Sequence, residues 1–198
     1  MKVSSYRLGD LISHPFGLNQ NEKELLAIEH PESIGADYLL LQDDQTGIKK
    51  ATKIVLNRID KYKKLLPLDI EESVVIHLRL GDVVSGNECH ERGKRPLDTE
   101  YYNSLNIDNK KIYVIGKCFF ASTSSNNYDE CITDSDRYLH SVLENLNAHH
   151  FDGGNADIDL CCAVLADNFI QGRGFFSKLI VDVRKEMGKS SIETEISL

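Results

Sequence analysis

The segment Val74-Val75-Ile76-His77-Leu78 constrains this chain more than any other. It lacks the polar alternation of a strand with one wet face, so it predicts a strand buried on both faces. Such a strand belongs inside a parallel sheet covered by helices on both sides. The apolar run stops at His77, Arg79 and Asp82, which surround Gly81. Open α/β sheets bind ligands beyond the carboxyl ends of their strands. An arginine there, beside a glycine that lets the backbone turn tightly, suits an anion such as a diphosphate. A structural ion pair between Arg79 and Asp82 accounts for the same residues.

Periodicity extends this reading along the chain. Before residue 45, proline and glycine punctuate an irregular segment with one short helix candidate at Glu22–Ile28. From Thr46 the spacing of Ile48, Ala51, Val55, Ile59 and Tyr62 predicts a long amphipathic helix that feeds the strand. A polar loop and a short helix over Glu100–Leu105 follow, then a second strand within "KKIYVIGK". The segment "ASTSSNNYDE" reads as loop. Leu139, Val142, Leu143 and Leu146 predict a helix in "TDSDRYLHSVLENL". The last third alternates a buried helix, "DIDLCCAVLA", a short strand, "DNFIQG", and a helix, "FFSKLIVDVRKEMG", closed by Gly188. Strands alternating with helices predict an α/β fold, a doubly wound, Rossmann-like parallel sheet.

Composition narrows the partners. With 41% hydrophobic and 27% charged residues in 198, the chain is an ordinary globular protein with one sizeable core. A formal charge of -8 argues against a general nucleic-acid or anionic-membrane surface, although "ERGKR" at Glu91–Arg95 is locally basic. No segment has the length and apolarity of a signal peptide or a membrane helix. The five cysteines are odd in number and show no C-x-x-C spacing, which fits a reducing, cytoplasmic compartment. Cys89 with His90, and His149, His150 and Asp152, lack a second half at zinc-site spacing, so no metal is assigned.

A second loop joins the first at the carboxyl side of the sheet. "QGRGFFS", Gln171 to Ser177, leads from a strand into a helix, and glycines before a helix N-terminus make an anion site out of backbone N–H groups and the helix dipole. A plain tight turn is the alternative. Taken together, "HLRLGD" resembles the H-x-R-x-G-D motif of the fucosyltransferase superfamily with the GT-B fold, the group of α-1,2-, α-1,6- and protein O-fucosyltransferases. "DLCCAVLADNFIQGRGFFS" is similar to that superfamily's later acidic residue, buried helix, strand and F-S element. The resemblance covers roughly residues 74–188.

The resemblance implies a donor-binding half of a GT-B enzyme, over residues 71–198, preceded by a small N-terminal lobe and long helix over 1–70 on the acceptor side. It implies inverting, metal-independent transfer of a sugar from a nucleoside-diphosphate sugar, a GDP-sugar above all, to a glycan hydroxyl. Arg79 matches the arginine at the donor's β-phosphate, and His77 the histidine that helps hold the nucleotide. Asp159 matches the acid that reads the base, with Asp157 as the competing alignment. Phe176 and Ser177 match the F-S pair beside the diphosphate, and Asp82 is a carboxylate that orients Arg79 or the turn. Two positions depart from the pattern. Leu80 stands where many relatives carry a second arginine, and Gly174 and Phe175 replace a pair of serines, which leaves Gly172, Arg173 and the backbone N–H groups to do that work. A catalytically inactive nucleotide- or glycan-binding module and a plain α/β interaction domain are the competing readings.

Overall fold

A computed structural model describes residues 45–81, 83–84, 96–105, 107, 110–119, 128–154 and 156–194. The Glu22–Ile28 helix, Asp82, Cys89 and the "ERGKR" run lie outside the described residues, and so do the side chains of Ile48 and Ala51.

The elements follow in the order α1 (Gln45–Tyr62), β1 (Val74–His77), β2 (Leu80–Gly81), α2 (Thr99–Asn103), β3 (Ile112–Ile115), β4 (Cys118–Phe119), α3 (Tyr128–Leu146), β5 (His149–His150), α4 (Ala156–Leu165), β6 (Asn168–Ile170) and α5 (Phe175–Glu186). Two 3-10 turns, Lys63–Leu65 and Ile70–Glu72, connect α1 to β1. The main sheet has the order β5-β3-β1-β6 with every pairing parallel. β2 and β4 form a second, two-stranded parallel ladder. Ile192, near the carboxyl end of the chain, adds a parallel bridge to Ile170 on the outer edge of β6.

The alternation of side chains along the strands divides the core in two. Val75, Tyr113, Ile115 and Phe169 face one side, where α1, α4 and α5 supply Val55, Ile59, Leu160, Cys161, Leu179 and Ile180. Val74, Ile76, Ile112 and Val114 face the other, against Tyr102 of α2 and Leu139 and Val142 of α3. The sheet is therefore parallel and covered on both faces, and β1 is buried along its whole length as its apolar run requires. α1 packs into the same cluster as α4 and α5, so the long helix is part of the α/β core. α4 is apolar around its circumference because it lies between the sheet, α1 and α5. Among the described residues no helix is long and apolar enough to cross a membrane.

Three details differ from the sequence reading. α3 begins at Tyr128, so the end of "ASTSSNNYDE" is helical, with Asp129 and Glu130 in a first turn where the helix dipole favours acids. β5 consists of two exposed histidines at the sheet edge, which no apolar pattern marks. The residues after Gly188, which the sequence reading leaves unassigned, return to the sheet: Ile192 N–H donates to Phe169 O at 2.8 Å, and Gln171 N–H donates to Ile192 O at 2.9 Å. Gly188 ends α5 as its position suggests, with Lys189 N–H donating to Arg184 O at 2.8 Å.

Arg184 explains why that tail is held. Its side chain is 0% exposed, the largest buried side chain of the described core. Nη1 donates to the carbonyls of Ala163, Val164 and Ala166 at 2.9, 3.1 and 2.8 Å, closing the carboxyl end of α4. Nη2 donates to Asp167 O at 2.9 Å, and Nε to Ser190 O and Ser191 Oγ, both at 3.1 Å. Burial pushes the guanidinium down to about 10, which leaves it charged at neutral pH. Lys189 adds a second cation, with Nζ donating to Leu165 O at 2.5 Å. Cations at a helix carboxyl terminus meet the negative end of the dipole as well as its open carbonyls.

Arg184→Met strips the partners from several buried carbonyls at once. It is expected to lower the unfolding free energy by about 3 kcal/mol or more in urea titrations. Arg184→Lys recovers only part, since an ammonium cannot fork between α4 and the tail. A Met variant within about 1 kcal/mol of the parent would show that these carbonyls find other donors.

Candidate functional site

Sheet growth reverses between β1 and β6. From β1 the chain adds β3 and then β5 on one side, and returns to place β6 on the other. Doubly wound sheets leave a ligand crevice at such a switch point, outside the carboxyl ends of the two strands. Here those ends carry His77 to Gly81 and Gln171 to Gly174.

His77 ends β1 on the side that faces α5. Its imidazole is 3% exposed, and Nδ1 lies 2.6 Å from Oγ of Ser177, a residue 100 positions later in the first turn of α5. The ring also tilts against Phe176, with centroids 5.2 Å apart at 53°. The hydrogen bond and the ring contact fix the imidazole in one orientation. The turn from β6 can come this close because residue 172 is glycine. A Cβ there would fall 2.1 Å from the His77 carbonyl oxygen and 3.0 Å from Nδ1. Gly174 has a different reason to be glycine: with φ 101° and ψ 166° it adopts a conformation that side chains essentially forbid.

Gly174 is the cap of α5, and among the described residues no side chain caps it and no acid occupies the first turn. The first N–H groups of the helix, with the positive end of its dipole, lie at the carboxyl edge of the sheet. Arg79 is half-buried next to this turn; its Cδ lies 3.9 Å from where a Cβ on Gly174 would be. Arg173 is half-buried on the same turn. Burial and Tyr138 push the Tyr102 phenol up, and the Arg173 charge pulls it back, which places Arg173 near α2. A guanidinium, a glycine turn and an uncapped helix terminus form the constellation that holds a phosphate.

The remaining sequence candidates divide. Asp159 is buried in the first turn of α4, where Oδ1 accepts from Gly153 N–H at 2.9 Å and ties down the loop after β5. Asp157, two residues earlier, is 3% exposed and lies in the field of Arg58 and Lys61 on α1; its Oδ1 is buried with no hydrogen-bond partner among the described residues. The structure thus brings His77, Arg79, Gly172, Arg173, Gly174, Phe176 and Ser177 together, and commits Asp159 to the β5–α4 loop. Leu80 is 0% exposed and packs in the cluster with α2 and α3. Asp82 lies outside the described residues.

Sequence reasoning missed two residues of this edge, Ser135 and Lys117, and weighed Asp152 only as a metal ligand. Ser135, fully buried in α3, accepts from Gly81 N–H at 2.9 Å and fixes the turn after Arg79. Lys117, after β3, pairs with Asp152, after β5, at 2.5 Å. A small polar residue on an apolar helix face signals the first, and a lysine just after a strand-ending glycine signals the second. Among the described residues no cluster of three or more His, Cys, Asp or Glu could hold a metal. No protein-family model matches the chain, and no curated protein matches it either.

The buried Asp157 yields a pH dependence. Burial raises its carboxyl pKa, with Arg58 and Lys61 opposing the rise. The folded carboxyl therefore binds its proton more tightly than the unfolded one, and Asp157 lowers stability as pH rises from about 4 through the folded pKa. Asp157→Asn is expected to add more to the unfolding free energy at pH 7 than at pH 4. Urea titrations at both values measure this, and the opposite order would mean that the cations of α1 outweigh burial.

Proposed function

We propose that the chain is an inverting glycosyltransferase that uses a nucleoside-diphosphate sugar, a GDP-sugar in first place, with the diphosphate seated between the carboxyl ends of β1 and β6. One observation carries the reading. The two segments that resemble the fucosyltransferase pattern are 100 residues apart in sequence at His77 and Ser177, yet those side chains are hydrogen-bonded at 2.6 Å at a topological switch point. The uncapped start of α5 and the adjacent Arg79 supply donors for an anion there. The parallel sheet with helices on both faces suits the donor-binding half of a GT-B enzyme.

In this reaction an acceptor hydroxyl oxygen attacks the anomeric carbon while the bond from that carbon to the β-phosphate oxygen breaks. The diphosphate leaves with the electron pair, and the hydroxyl proton passes to a base. Negative charge grows on the leaving group, so a guanidinium held at the diphosphate binds the transition state more tightly than the ground state. His77, locked by Ser177 and Phe176, serves to hold the nucleotide rather than to move a proton.

Leu80 favours a second reading. The position of the second arginine of many relatives is an apolar side chain in the core here, as suits a module that binds a nucleotide without transferring its sugar. Arg79 separates the two. Under transfer, Arg79→Ala lowers turnover on the order of 100- to 1000-fold while nucleotide affinity falls much less, and Arg79→Lys recovers only part. GDP is expected to raise the melting temperature of the parent, by mass action on the folded state. A melting temperature unmoved by millimolar GDP, UDP and ADP would sink both readings.

A further inference from the structure

At the carboxyl end of β3 the edge carries a cation that the diphosphate site has not used. The ladders β1–β3 and β2–β4 share one register, since Val74 pairs with Ile112, His77 with Ile115 and Leu80 with Cys118. Arg79 and Lys117 therefore stand opposite one another in the short break between the two ladders. The strands stay close through that break: Leu78 N–H donates to Ile115 O at 2.8 Å, and a Cβ on Gly116 would lie 2.4 Å from the Leu78 carbonyl oxygen. From this shared point the side chains diverge. Arg79 leans toward Gly174, and Lys117 toward the loop after β5, where Nζ meets Asp152 Oδ1 at 2.5 Å. Along the edge the order is Asp152, Lys117, Arg79 and the glycine turn.

The pair is uneven. The Lys117 side chain is 10% exposed and that of Asp152 is 43% exposed. A lysine this buried at the rim of a sheet loses most of its hydration and needs an anion beside it. The loop carrying Asp152 does not need the lysine to stay in place. Phe151 N–H donates to Val114 O at 2.9 Å, Gly153 N–H donates to Asp159 at 2.9 Å, and Asp152 Oδ1 itself accepts from Gly154 N–H at 2.8 Å. Burial pushes the Asp152 carboxyl up, but Lys117 and Gly154 N–H outweigh it and hold it below the usual carboxylate range, ionised at neutral pH. A diphosphate carries more charge than one guanidinium balances, and Leu80 supplies none.

We infer that Lys117 is a second anion-binding side chain of this site, and that Asp152 is the carboxylate it exchanges for a phosphate oxygen of the ligand. The inference rests on the proposed diphosphate site and adds to it a counter-ion that the ligand must displace. The flexible four-carbon stem lets Nζ leave Asp152 while β3 stays in place. The two members of the pair then act on affinity in opposite directions: the lysine attracts the ligand, and the aspartate competes with it.

Calorimetric titration of the full chain with inorganic pyrophosphate tests this on the parent, Lys117→Met, Asp152→Asn and Arg79→Ala. Lys117→Met is expected to weaken pyrophosphate by about tenfold or more, the loss of one charge-assisted hydrogen bond, and to flatten the salt dependence. Asp152→Asn is expected to tighten it, and the double variant to bind like Lys117→Met. A purely structural pair would lower the melting temperature in both single variants and leave the affinity per folded molecule unchanged; that result overturns the inference. If Lys117→Met does not fold, Asp152→Asn decides alone, since unchanged or weaker binding refutes the competition. A parent that binds pyrophosphate and loses it in Arg79→Ala but keeps it in Lys117→Met removes Lys117 while sparing the site. A parent that binds neither pyrophosphate nor GDP overturns both.

Discussion

β1 has no surface to spare. Parallel neighbours take its hydrogen bonds on both edges, and apolar clusters take its side chains on both faces. Polar chemistry can then enter only where the strand ends, and the residues that follow are the ones with hydrogen-bonding and charged groups. Every other feature of the carboxyl edge answers to this. Gly172 brings the β6 turn down onto His77, Ser177 fixes the imidazole, and Ser135 holds Gly81 from the opposite layer. The site is thus assembled around the end of one strand by parts from both helix layers.

Much of this was legible in the sequence, for a physical reason. An apolar run without alternation allows few environments, and Val74 to Leu78 allowed one. Amphipathic spacing marked α1 and α3, and glycines flanking Arg173 marked a strand-to-helix turn. What stayed hidden depends on tertiary partners. β5 is a strand because Tyr113 and Val114 offer an edge to His149 and His150, a contact that two exposed histidines do not announce. Asp157 and Asp159 lie two residues apart and look equivalent in sequence; only the packing turns one toward α1 and ties the other to Gly153.

Arg184 illustrates the same limit. In sequence it is one more charge near the end of an amphipathic helix, suited to the dipole and to solvent. In the fold it is the most deeply enclosed cation of the described core, because the carboxyl end of α4 and the returning tail present more carbonyls than backbone donors can satisfy. The carboxyl end of α4 is buried where water cannot satisfy its last carbonyls, so the composition of α4 and the charge on α5 are linked.

The order in which β1 acquires its partners has a kinetic consequence. β3 follows β1 after a modest stretch of chain, whereas β6 arrives only after α3, β5 and α4 have been made. During synthesis one edge of β1 therefore waits unpaired, and closing it requires the longest loop among the main-sheet pairings. Open strand edges recruit other chains. Since Ser177 lies only seven residues beyond β6, the step that pairs the open edge of β1 is also the step that brings Ser177 to His77, so edge protection and assembly of the candidate site come together.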